Sequence, residues 1–147
     1  MNRAPMRLAL LLVLATSGAN AAEFRSVQDN AAVLYDAPSR AATPLYVVQR
    51  NYPLEVIVNL DAWVKVRDHA GALTWIEKKA LGDKRTLLVV GASAEARVRA
   101  EDGAPAAFAA AQNVTLELVE VAPNGWLRVR HADGAAGFVR AAQVWGN

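Results

Sequence analysis

The stretch from Trp63 to Glu77, WVKVRDHAGALTWIE, comes back as Trp126 to Arg140, WLRVRHADGAAGFVR, 63 residues later. A chain that repeats itself at this period uses one supersecondary unit twice, and each copy must bury the same face. Upstream, Tyr46, Asn51, Leu54, Glu55, Val56 and Ile57 correspond to Phe108, Asn113, Leu116, Glu117, Leu118 and Val119 at a spacing of 62. The extra residue enters at a turn, where Asp61-Ala62 stands against Pro123-Asn124-Gly125. Earlier still, Leu34-Tyr35 matches Val98-Arg99 and Phe24 matches Leu88, both at 64. Small insertions between apolar runs are what loops between strands tolerate.

The repeated unit reads as β structure. Leu54 to Val58, Trp63 to Arg67, Thr74 to Ile76, Leu87 to Val90 and Leu116 to Val121 alternate or are short and β-branched. Asp68-His69-Ala70-Gly71, His131-Ala132-Asp133-Gly134 and Asn124-Gly125 are turn signals. The alanine-rich run Ala104 to Ala111 has helical propensity, but Gly103 and Pro105 interrupt it and its counterpart Pro44 to Arg50 is β-like. It is expected to be a loop entering a strand. Several short strands at tight spacing predict a small barrel or sandwich per copy.

The N-terminus carries the three parts of an export signal: Arg3 and Arg7, the apolar run Leu8 to Ala15, and Ala19-Asn20-Ala21 as a cleavage site. The run is too short to span a bilayer, which takes roughly 20 residues. A signal peptide over residues 1–21 is therefore expected, with copies at 22–85 and 86–147. No cysteine sits at the cleavage point, which speaks against a lipid anchor. Cleavage removes two of 16 basic residues and leaves 14 to balance 14 acidic ones. The formal charge falls from +2 to zero, and a nucleic-acid or anionic-membrane partner loses its support.

Strand alternation locates the candidate surface. In Trp63 to Arg67, Val64 and Val66 share one face while Trp63, Lys65 and Arg67 share the other. A small barrel buries the valine face, so Trp63 is expected outside, and Trp126 with Arg128 and Arg130 repeats the pattern. By the same parity Ile76 and Val139 point inward, and Trp75 and Phe138 outward. An outward tryptophan in each copy is not explained by core packing.

Turn, W-x-[KR]-V-R, short turn ending in Gly, then aromatic-[VI]: this order resembles the bacterial SH3-type domain, most closely in Gly125 to Arg130, Asp133-Gly134 and Gly137 to Val139. The first copy carries Ala62 and Thr74 where that pattern prefers Gly. The resemblance implies an all-β chain of two tandem small SH3-like β-barrels. It also implies ligand grooves lined by Tyr35, Trp63 and Trp75 in the first copy and by Arg99, Trp126 and Phe138 in the second. Ala80 stands where many peptide-binding members have tyrosine, which speaks against proline-rich peptides. The bland alternative is that these aromatics fill the seam between the two barrels.

Other residues have plainer readings. His69 and His131 occupy the same hairpin turn of their copies and are expected as solvated turn residues without the further ligands a metal needs. Glu101-Asp102 should point apart or into solvent, Lys78-Lys79 and Lys84-Arg85 should form a solvated linker region, and Trp145 should cap the second barrel. No thiol, nucleophile elbow, phosphate loop or paired histidine base is present. The expectation is a periplasmic, non-catalytic module without cofactor or metal and without stable membrane insertion once the signal is cut. Its ligand would be peptidoglycan or an envelope protein or peptide. The alternative is an assembly part whose aromatic grooves are buried in an interface.

Overall fold

The computed structural model describes residues 20–147. The expected export signal lies outside the described residues except for Asn20 and Ala21. The first seven strands are β1 (Phe24–Val27), β2 (Ala31–Tyr35), β3 (Pro44–Gln49), β4 (Pro53–Asn59), β5 (Trp63–Arg67), β6 (Leu73–Glu77) and β7 (Leu81–Gly82). The second seven are β8 (Thr86–Val89), β9 (Ser93–Arg97), β10 (Ala106–Ala111), β11 (Thr115–Ala122), β12 (Trp126–Arg130), β13 (Ala136–Arg140) and β14 (Val144–Trp145). A 3-10 turn precedes the last strand of each set, Lys78–Ala80 and Ala141–Gln143. No helix among the described residues is long and apolar enough to cross a membrane.

Each set forms one antiparallel sheet. The first is ordered β3-β2-β6-β5-β4-β1-β7 and the second β10-β9-β13-β12-β11-β8-β14, the same order with every strand advanced by seven. Among the described residues no separate layer covers either sheet, yet Leu54, Val64, Val66 and Ile76 in one, and Leu116, Leu127, Val129 and Val139 in the other, are buried. Each sheet therefore folds over its own apolar face. The expected closed barrels are corrected in one respect: β3 and β7 end the sheet without pairing to each other, as do β10 and β14. The reason is length. β7 and β14 have two residues each, and these already pair with β1 and β8.

Pairing also corrects the early part of the repeat. Phe24 lies opposite Glu55 and Thr86 opposite Glu117, so the counterpart of Phe24 is Thr86 and not Leu88. Tyr35 lies opposite Trp75 and Arg97 opposite Phe138, so the counterpart of Tyr35 is Arg97 and not Arg99. The spacing is 62 until the β4–β5 turn and 63 after it, the extra residue sitting in that turn. A slip of two residues keeps every side chain on its face, so alternation could not detect it. Asn124 and Gly125 both hold positive φ, 60° and 78°, as a tight hairpin turn requires.

A second apolar contact joins the copies. Phe24 and Leu88 are 8% and 2% exposed, yet neither belongs to the core of its own sheet. The Phe24 ring meets Trp145 edge-on, centroids 5.1 Å apart, and the His69 ring lies 6.4 Å from Trp145. Arg85 places its guanidinium 5.7 Å from the Phe24 ring centre and donates to the Gly146 carbonyl at 2.9 Å. Thr86 donates its hydroxyl to the Asn51 carbonyl at 2.7 Å. Trp145 thus packs on the first copy as well as ending the second sheet, and Arg85 belongs to the seam and not to a solvated linker. His69 is a turn residue, as read, but it also shares a 2.7 Å hydrogen bond with the Tyr52 hydroxyl. Burial, and secondarily the charge of Asp68, pushes the Tyr52 pKa up to about 12.

Candidate functional site

On the first sheet, cross-strand pairing places Tyr35, Trp75 and Lys65 in one outward row. Trp63 lies opposite Glu77. The rings of Tyr35 and Trp63 meet edge to face, 5.5 Å between centroids at 84°, a geometry aromatic quadrupoles favour. Trp63 thus contacts Tyr35, while Trp75 receives Lys65, whose ammonium lies 5.9 Å from its ring centre. All three aromatics are partly exposed, and the seam is made by other residues.

Glu77 is the charged centre of this face. Arg40 reaches it with two nitrogens, Nη2 to Oε2 at 2.9 Å, and the Lys79 ammonium lies 3.5 Å away. The hydrogen bond from Arg40, with its charge and that of Lys79, holds the Glu77 carboxyl below the usual range. Two shallow clefts adjoin it. One of about 170 Å³ is lined by Tyr35, Arg40, Glu77 and Lys79 among others, and one of about 380 Å³ lies between Asp61-Ala62 and Glu77 to Lys79. The face offers aromatic planes beside charges of both signs with cations in excess, suited to holding a ligand.

The second sheet places its residues differently. Trp126 keeps to the outward face, outside the core that holds Leu127 and Val129, but it is only 4% exposed, which corrects the expectation of an open tryptophan. The Arg140 guanidinium lies 4.2 Å from its ring centre. Arg140 also donates to both oxygens of Asp102, at 3.2 and 2.6 Å, and to the Asn124 carbonyl at 3.0 Å. Asp102 is exposed, as expected, and from that position it also pairs with Arg140. Phe138 is partly exposed beside Arg97. Arg99 lies beyond β9, exposed and 3.5 Å from Glu101, outside the position that Tyr35 fills in the first copy. Sequence reading missed Arg40, Glu77, Asp102 and Arg140. Their signal was a charge reversal at matched repeat positions: Arg40 with Glu77 becomes Asp102 with Arg140.

Among the described residues no three His, Cys, Asp or Glu side chains gather as a metal site. The chain matches the family described as Bacterial SH3 domain twice, over residues 28–83 and 90–146. It belongs to the bacterial SH3 domain family. Each matched region covers most of one sheet, so the two bacterial SH3 copies are the two seven-stranded units. Comparison with curated proteins finds no match. Similar solved structures include NlpC2 from Trichomonas vaginalis, 13% identical with a TM-score of 0.40, covering 86% of this chain and 49% of that one. NlpC1 from the same organism is 16% identical with a TM-score of 0.40, covering 98% and 52%. An NlpC/P60 family protein from Bacillus cereus is 16% identical with a TM-score of 0.39, covering 84% and 56%. The chain thus spans about half the length of these structures. Within the bacterial SH3 framework the two copies share a fold and differ at the groove: the first presents Trp63 beside Tyr35, and the second covers Trp126 with Arg140.

Proposed function

We propose that this chain is an exported, non-catalytic binding or adaptor protein of the periplasm whose bacterial SH3 domains hold peptidoglycan or an envelope protein. One observation carries the reading: Tyr35, Trp63 and Trp75 form a partly open aromatic face that serves neither the core nor the seam. Aromatic planes with flanking Lys65, Arg40 and Glu77 suit sugar rings bearing charged peptide stems. Family membership supports a binding role, and the reading of residues 1–21 as an export signal supports the compartment. A protein ligand is the second reading, favoured by Leu45, Tyr46 and Val47, all exposed on the edge strand β3.

Co-sedimentation with purified peptidoglycan sacculi tests the proposal. Wild-type protein should pellet with sacculi, and Trp63→Ala, with its circular dichroism unchanged, should lose about tenfold or more in affinity, as expected for an anchoring tryptophan. Wild-type protein that stays in the supernatant rules out the wall and directs the search to envelope proteins.

A further inference from the structure

We infer that the second groove is filled by the chain's own Arg140, so that a ligand reaches only the first. We further infer that the cross-strand partner of the tryptophan, Glu77 in one copy and Arg140 in the other, decides which groove is open. The statement about ligand rests on the reading of the Trp63 face as the binding face. The statement about closure stands on geometry alone.

The two sites have the same backbone plan. Trp63 lies opposite Glu77, and Trp126 lies opposite Arg140, at the same place in the same strand order. What differs is the chemistry of the partner. The face of an indole ring is its negative pole, so a guanidinium settles on it and a carboxylate does not. Arg140 takes that place at 4.2 Å. Its fork is held by both oxygens of Asp102 and by the Asn124 carbonyl, the planar bidentate geometry that arginine provides. A ligand at Trp126 would have to displace a side chain already satisfied by three acceptors.

In the first copy Glu77 turns to Arg40 and Lys79 instead. Among the described residues no cation lies over Trp63, which meets the Tyr35 ring and stays partly exposed. Reversing the pair, from Arg40 with Glu77 to Asp102 with Arg140, keeps an ion pair in each copy. It moves the cation onto the strand that faces the tryptophan. The ion pair alone therefore does not close a groove. Whether the cation sits on the loop, as Arg40 does, or on the strand opposite the tryptophan, as Arg140 does, decides it.

The test uses the full chain labelled with ¹⁵N. Its four tryptophans are followed by their indole N–H signals, assigned by single Trp→Phe variants, with a soluble gadolinium chelate as a probe of solvent access. Trp126 should be broadened severalfold less than Trp63. Arg140→Glu with Asp102→Arg should bring Trp126 to the level of Trp63, and Glu77→Arg with Arg40→Asp should protect Trp63. Equal broadening of the two in the wild type, or no change on either reversal, overturns the inference. With sacculi as the ligand probe, Trp63→Ala should cost about tenfold or more while folded Trp126→Ala stays near wild type. Equal losses overturn it. The Arg140→Glu, Asp102→Arg chain should gain a second site, which covers the case of Trp126→Ala failing to fold. If sacculi bind no variant, the wall-binding proposal fails, and the relaxation result still decides whether Arg140 closes the groove.

Discussion

Replacing Thr74 by Val should stabilise the protein. Thr74 is 1% exposed on β6, opposite Val66, and its hydroxyl has no hydrogen-bond partner among the described residues. A buried hydroxyl left unpaired costs about 1–3 kcal/mol, and a methyl of the same shape removes that cost. Unfolding entropy is about 2.1 cal/mol/K per residue, so 1 kcal/mol moves the Tm of a ~60-residue module by about 8 °C. If the seam makes both copies melt together, the same 1 kcal/mol is spread over ~120 residues and moves one transition by about 4 °C. Scanning calorimetry reads both the size of the shift and the number of transitions. Thr86→Val is the matched control. Its hydroxyl is also buried but donates to the Asn51 carbonyl at 2.7 Å, so its loss should cost about 1 kcal/mol and lower the Tm. A fall in Tm for Thr74→Val, or the same sign for both variants, would refute the reasoning.

Two further outcomes concern the seam. Trp145→Ala removes the edge-to-face contact with Phe24, worth about 0.5–1.5 kcal/mol beyond area; it should split a single calorimetric transition into two, and an unchanged single transition would show that the copies are coupled elsewhere. Tyr52 holds its proton to about pH 12 in the fold against 10.0 when free. Below pH 10 both states are protonated and the group adds no pH dependence. Between those values only the unfolded chain has lost the proton, so stability falls as pH rises through the folded pKa. Urea midpoints at about pH 9 and about pH 11 should therefore drop less for Tyr52→Phe than for the wild type, and equal drops would remove Tyr52 as the cause.

The aromatic face of the first copy was legible because strand parity is local. Val64 and Val66 had to go inward, which left Trp63 and Lys65 outward, and the pairing of Tyr35 with Trp75 keeps to that parity. The identity of Arg97 as the counterpart of Tyr35 was not legible, since only inter-strand hydrogen bonding separates registers two residues apart. Thr74 against Gly137 shows the same limit. At Gly137 an added Cβ would lie 2.9 Å from the Arg97 carbonyl oxygen and 3.0 Å from the Ala96 Cβ, while Thr74 is accommodated at the matching site. Backbone spacing of that kind has no sequence signature.

The repeat, the strand faces and the turns could be read from residue order, because each depends on neighbours a few residues apart: alternation on a strand, and positive φ at Asn124-Gly125. Which aromatics stay partly exposed depends on contacts between segments far apart in the chain. Trp145 reaches Phe24 across the two copies, and Asp102 holds Arg140 over Trp126 from another loop. Parity assigns a side chain to a face of its own sheet. It says nothing of what a distant segment lays on top, so Trp63 and Trp126, alike in sequence, end partly exposed and buried respectively.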